Sequence, residues 1–211
     1  MKRILVSSLA FAFAFGLSVA GAVEPDPSQI YILPGSIQGN GSGCPPGSTV
    51  VDLAPDGQAF TVIFSEFLAQ IGRGIPLAES RKNCQLNLTV HVPQGGTYAI
   101  ASVDYRGYMN LARGARGLQK ATFYFQGQEP QASAWQMFEG ERSADWHIHQ
   151  EVEVAALVWA PCGVQRSVNI NAQVRLEKGT SGGAESIMTM DSEDGSIKQI
   201  YHLSWRECDR P

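Results

Sequence analysis

The chain has 211 residues, 16 basic against 20 acidic, a formal charge of −4 near neutrality and no basic run longer than two residues. That balance argues against nucleic acid or anionic lipid as a partner, because both are held by releasing counterions from clustered lysines and arginines. The length allows a sizeable core, and an all-β chain of this size is read as one domain.

The chain opens on Lys2 and Arg3, an apolar run from Ile4 to Val19, and the small residues Ala20, Gly21 and Ala22. This predicts a signal peptide over residues 1–22, with an apolar stretch short of the roughly 20 residues of a membrane span. Its removal leaves a mature chain with the charge lowered to −6, since Lys2 and Arg3 go with it and no acidic residue does. The mature chain is expected to be secreted or periplasmic, without a membrane segment. In that compartment the four cysteines, Cys44, Cys84, Cys162 and Cys208, none forming a CxxC motif, predict two structural disulfides. Three connectivities are open; the preferred one joins Cys44 to Cys84 and Cys162 to Cys208, each pair lying beside neighbouring strand candidates.

Residues 23–46, rich in Pro, Gly and Ser, read as an irregular lead-in with one short edge strand at Ile30–Leu33. Gly39, Gly41 and Gly43 are not a phosphate loop, since Cys44-Pro45-Pro46 follows them instead of a helix with Lys-Ser/Thr. Residues 47–211 are read as a single β-sandwich domain. Thr49–Leu53 and Ala59–Phe67 are strands around an Ala-Pro-Asp-Gly turn, and Leu68–Ala78 is a crossing loop. From Cys84 to Val92 apolar and polar residues alternate, which predicts a half-buried strand with Cys84 inward. Pro93-Gln94-Gly95-Gly96 then reads as a hairpin turn returning Thr97–Tyr105 as its partner. Asn110–Lys120 is given one helical turn. Further strands follow at 121–126, 132–138, 146–152, 155–159, 167–176, 186–191 and 197–205, the last two joined by a Ser-Glu-Asp-Gly hairpin turn. About ten short strands without a long amphipathic helix predict an all-β, two-sheet antiparallel sandwich.

Candidate sites are few. Asp104, Tyr105, Arg106 and Tyr108 end a strand with a carboxylate, a guanidinium and two phenols, groups that hold sugars or other polar ligands; an internal ion pair and core-capping tyrosines are the structural alternative. His147, His149 and Glu151 alternate on one strand face and have the ligand types for a transition metal, although a polar outer face produces the same alignment. Asp191, Glu193 and Asp194 could hold calcium through oxygen ligands but lie in a turn that selects them anyway. Asn87-Leu88-Thr89 is a glycosylation sequon on the outward face. No Gly-x-Ser-x-Gly elbow and no carboxylate pair at a working spacing appears, so no catalytic residue is nominated.

The blocks Gly43-Cys44-Pro45, Ile75 through Cys84 (IPLAESRKNC), Val103 through Tyr108 (VDYRGY), Thr122 through Gly127 (TFYFQG), Trp159 through Gly163 (WAPCG), Asn169-Ile170-Asn171 and Trp205 through Cys208 (WREC) resemble the secreted family catalogued as domain of unknown function 4360. The resemblance runs from about Gly39 to Cys208. It implies a small secreted bacterial or fungal protein with two disulfides and brings no activity or site residue. The expectation is therefore a monomeric extracellular binding module without a cofactor, taking a polysaccharide or cell-surface component. A hydrolase with its acid and base on distant loops, and a metal-binding protein using His147 and His149, are the alternatives.

Overall fold

The alternation that starts at Cys84 becomes a strand facing a second sheet. The structure, a computed structural model, describes residues 31–33, 35–36, 38–53, 59–129, 131–151, 159–162, 165, 167–190 and 197–208. The expected signal peptide, the turn holding Asp191, Glu193 and Asp194, and most of the strand expected at 155–159 lie outside the described residues. In chain order the strands are β1 (Tyr31–Ile32), β2 (Gln38–Asn40), β3 (Thr49–Leu53), β4 (Ala59–Phe64), β5 (Leu68–Ile71), β6 (Arg81–His91) and β7 (Gly96–Leu111). They continue with β8 (Arg116–Phe125), β9 (Gln131–Glu139), β10 (Arg142–Glu151), β11 (Ser167–Glu177), β12 (Ser186–Thr189) and β13 (Ile197–Glu207).

These strands form two antiparallel sheets, as the sequence predicts. The six-stranded sheet runs β1-β6-β11-β8-β9, with β2 also on β6. The seven-stranded sheet runs β3-β4-β13-β7-β12-β5, with β10 on the other edge of β7. Cys84, Leu86, Leu88 and Val90 of β6 point inward and are buried, and so do Val168, Ile170, Ala172 and Val174 of β11. They meet Val103, Tyr105 and Met109 of β7 and Phe64 of β4 in one apolar cluster. Aromatic edges lock the sheets together: Tyr98 of β7 meets Phe125 of β8 at 5.3 Å between ring centres. Phe138 of β9 likewise meets Trp146 of β10 at 5.5 Å.

Several local expectations are corrected. Pro93-Gln94-Gly95-Gly96 does turn the chain, with Gly95 at φ +84°, but β6 pairs with β11, β1 and β2 while β7 belongs to the opposite sheet. The turn is an arch between sheets, because turn residues set a reversal of direction and not the edge on which the returning strand pairs. Residues 96–100 are buried throughout, as befits a strand covered on both faces. By the same logic β12 and β13 are not a hairpin: they pair with one edge of β7 at successive places, β13 over Gly96–Tyr105 and β12 at Met109 and Asn110, and not with each other. The crossing loop expected from Leu68 contains β5, which pairs with β12, and a 3-10 turn at Leu77–Ser80. The irregular lead-in contains β2. The helical turn expected at Asn110–Lys120 is instead the end of β7, a tight turn and the start of β8.

Both disulfides have the preferred pairing, Cys44 with Cys84 and Cys162 with Cys208, at Cα separations of 5.4 and 5.8 Å. Around the first, Gly43 donates its backbone N–H to the Asn83 carbonyl at 3.0 Å, and a Cβ at Gly43 would strike the Phe67 ring. The glycine cluster is thus a close-packed approach to β6. Cys44 and Cys84 are buried and 40 residues apart, so loop entropy assigns their bond about 4 kcal/mol. The Cys44→Ala, Cys84→Ala double variant is expected to lose on the order of 10 °C in Tm, measured by calorimetry; an unchanged Tm would show that the crosslink adds nothing to the fold.

Candidate functional site

The register between β7 and β10 decides which candidate residues meet. Asp104 faces His149, Arg106 faces His147, and Tyr108 faces Asp145 across the pair. Side chains alternate along a strand, so these residues share the outer face of the seven-stranded sheet while Tyr105, Gly107, Trp146 and Ile148 turn inward. Gly107 is required here: a Cβ would overlap the indole of Trp146 and the carbonyl oxygen of Thr189. Thr189 fastens the next residue, its hydroxyl accepting from the Tyr108 N–H at 3.2 Å and donating to the Tyr108 carbonyl at 3.3 Å.

On that face one carboxylate oxygen serves two imidazoles. Asp104 Oδ1 lies 2.9 Å from His149 Nδ1 and 3.4 Å from His147 Nε2. The other nitrogen of His149 faces Glu151 Oε1 at 3.9 Å. Beside this group Arg106 is exposed, and the Tyr108 hydroxyl and Ser143 Oγ are 2.9 Å apart. The hydrogen bond to Asp104 is the main reason that the His149 imidazole is held above its ordinary pKa of 6.5, with the charges of Asp104 and Glu151 acting in the same direction. Both nitrogens of His149 look at carboxylates, the setting of a retained imidazolium. A general base must instead keep one nitrogen free for a hydroxyl proton.

The four residues proposed for ligand binding therefore divide. Asp104, Arg106 and Tyr108 lie on the outer face, whereas Tyr105 is 0 % exposed and belongs to the core. Its hydroxyl lies toward the fully buried side chain of Gln119, and burial pushes it well above the usual phenol range. His147, His149 and Glu151 do share a face, but the two imidazoles are gathered by Asp104. Among the described residues no three His, Cys, Asp or Glu side chains form a metal-holding group. Sequence reasoning kept Asp104 and the histidines in separate groups, and it missed Ser143 and Thr189; what unites them is cross-strand register, for which a single strand carries no signal. A cavity of about 190 Å³ lies elsewhere, under the β6–β7 arch. His91, Gln94, Thr97, Tyr98 and Gln165 are among its lining, which includes no carboxylate.

The family model described as "Domain of unknown function (DUF4360)" matches residues 31–208. The chain belongs to the DUF4360 family. A relative from Arthroderma benhamiae, described as an uncharacterized secreted protein, is 42% identical over 188 residues, covering 89% of this chain and 76% of the relative. This DUF4360 protein is accordingly a secreted one, in keeping with its two disulfides. Among solved structures, the carbohydrate-binding module TmCBM61 in complex with β-1,4-galactotriose is 14% identical, with a TM-score of 0.27 over 82% of this chain and 90% of that one. The mannan-recognising module TmCBM27 is 6% identical, with a TM-score of 0.33 over 83% and 88%. Likeness this loose bears on neither ligand nor site.

The outer strip of the DUF4360 chain thus offers an acceptor (Asp104), donors (His147 and Arg106) and a phenol on two paired strands, with His149 held between Asp104 and Glu151. His149 gains charge as pH falls. Because its folded pKa is raised, the contact with Asp104 favours the folded state fully below pH 6.5 and that contribution fades as pH rises through the folded value. An NMR titration is expected to place the His149 midpoint above 6.5, and Asp104→Asn to bring it back toward that value; a midpoint indifferent to Asp104→Asn would remove the carboxylate as the cause.

Proposed function

We infer that this protein is a non-enzymatic extracellular binding module, and that it holds polysaccharide of a cell wall or cell surface on the outer strip of β7 and β10. The observation that supports this reading is the shared Asp104 carboxylate between His149 and His147, flanked by Arg106 and Tyr108 on an exposed sheet face. Sugar hydroxyls are donors and acceptors at once. A carboxylate that accepts, beside imidazole and guanidinium groups that donate, matches neighbouring hydroxyls on one ring. The strip lies on paired strands, so little ordering entropy is lost on binding.

Arg106→Ala and Tyr108→Ala are expected to weaken retention on purified cell-wall polysaccharide about tenfold each, the effect of losing one or two hydrogen bonds of which one is charged. Tyr105→Phe is expected to leave retention unchanged, because that hydroxyl faces the core. Pull-down with wall fractions and a glycan array measure this. No retention of the wild type, or equal retention of the Arg106 and Tyr108 variants, would overturn the reading.

A further inference from the structure

The outer face of the other sheet, away from the strip of β7 and β10, has a different chemistry. Register places Gln38, Asn87, Asn169, Tyr124 and Gln131 in one row across β2, β6, β11, β8 and β9. Two residues along, Asn40, Gln85, Asn171, Thr122 and Ser133 form a second row across the same five strands. Neither row contains a charged residue. With strands about 4.8 Å apart, each row is about 19 Å long.

The amides of these rows hold one another in place. Gln85 Nε2 donates to the Tyr124 hydroxyl at 2.9 Å and to Asn169 Oδ1 at 3.2 Å. Asn87 Nδ2 donates to the same Asn169 oxygen at 2.9 Å, and Asn171 Nδ2 to Gln85 Oε1 at 3.2 Å. Within this ladder Asn169 uses only its carbonyl oxygen, and Asn87 and Asn171 use only their amino groups. An amide has two donor hydrogens and an oxygen with two lone pairs, so Asn87 and Asn171 each keep their carbonyl oxygen for a ligand, while Asn169, 8% exposed, is the buried hub that holds them. At the rim, Trp135 of β9 is 57% exposed and pairs in register with Lys120.

We propose that this face is a second binding site, for a neutral polysaccharide chain lying across the strands. Neutrality selects the occupant. A charged polymer would find no counter-charge in either row, the face's cations Lys120, Arg81 and Arg175 standing outside them, whereas an uncharged sugar chain presents hydroxyls that match amide donors and acceptors and C–H faces that stack on an aromatic ring such as Trp135. The rows span a short oligosaccharide, and the ladder fixes the amide orientations before binding. Asn87, the sequon asparagine, stands inside the ladder, so a glycan on its Nδ2 would cover the face.

The test uses the full mature protein, produced without glycosylation, on insoluble β-glucan, chitin and mannan, with polygalacturonate as the acidic comparison. The expected result is retention on at least one neutral polymer, unchanged between low and high salt because no ion pair is involved. The Asn171→Ala, Trp135→Ala double variant should lose at least tenfold in affinity with its near-ultraviolet circular dichroism intact. In an Arg106→Ala background, where the strip of β7 and β10 is already weakened, the same double variant should still remove at least tenfold of the remaining affinity, which separates the present site from that strip. Retention on polygalacturonate alone, full affinity in the double variant, no retention on any neutral polymer, or a concentration-dependent dimer abolished by the same double variant would each overturn the proposal.

Discussion

The pairing of β7 along both of its edges is the constraint on which the rest of the seven-stranded sheet depends. One edge is taken by β13 over Gly96–Tyr105 and by β12 at Met109 and Asn110, and the other by β10 over Ser102–Leu111. A slip of one residue would turn Tyr105 outward and drive Asp104 and Arg106 into the core. Burying that carboxylate and guanidinium without partners costs far more than any hairpin contact could return. The register is therefore held from both sides, and with it the position of Asp104 opposite His149.

That constraint gives the two outer faces separate characters. On the seven-stranded sheet the outward residues of β7 and β10 carry charge and imidazole, joined through one carboxylate. On the six-stranded sheet Gln85 and Asn87 of β6, Asn169 and Asn171 of β11 and Tyr124 of β8 form an uncharged patch that bonds sideways, while Arg81, Arg175, Arg116 and Lys120 stand outside it. Between them lies a core built from the inward halves of the same strands, so each face can vary in chemistry without disturbing the apolar set. The disulfides support the arrangement from its margins. Cys44 ties the loop before β3 in the seven-stranded sheet to Cys84 of β6 in the other, and Cys208 ties the end of β13 to the segment at Cys162.

Much of the architecture was legible along the chain. The alternation from Cys84 to Val90 predicted both the strand and its inward face; compartment predicted two disulfides, and of the three connectivities left open the preferred one, set by neighbouring strand candidates, is the one the structure has. The errors share one cause. Pro93-Gln94-Gly95-Gly96 looks like a hairpin turn and is one locally, but β7 returns in the opposite sheet; among the described residues only β3 with β4 and β8 with β9 pair as consecutive strands. Leu68–Ile71 is too short for its period to be distinguished from a loop. Tyr105 and Tyr108 were grouped because they are near in sequence, although an odd separation on a strand puts them on opposite faces.

The amino-acid sequence by itself determined the secondary-structure class, the inward set of the strands and the family, because these rest on local alternation, cysteine usage and contiguous motifs. The tertiary structure alone decided that Asp104 gathers His147 and His149, that Tyr105 is a core residue, and that Gln85, Asn87, Asn169 and Asn171 form one ladder. Each of those depends on which strands are neighbours and in what register. Neighbour and register are properties of chain segments 43 to 86 residues apart in these contacts, and the backbone pairing that sets them leaves no mark on either segment read alone.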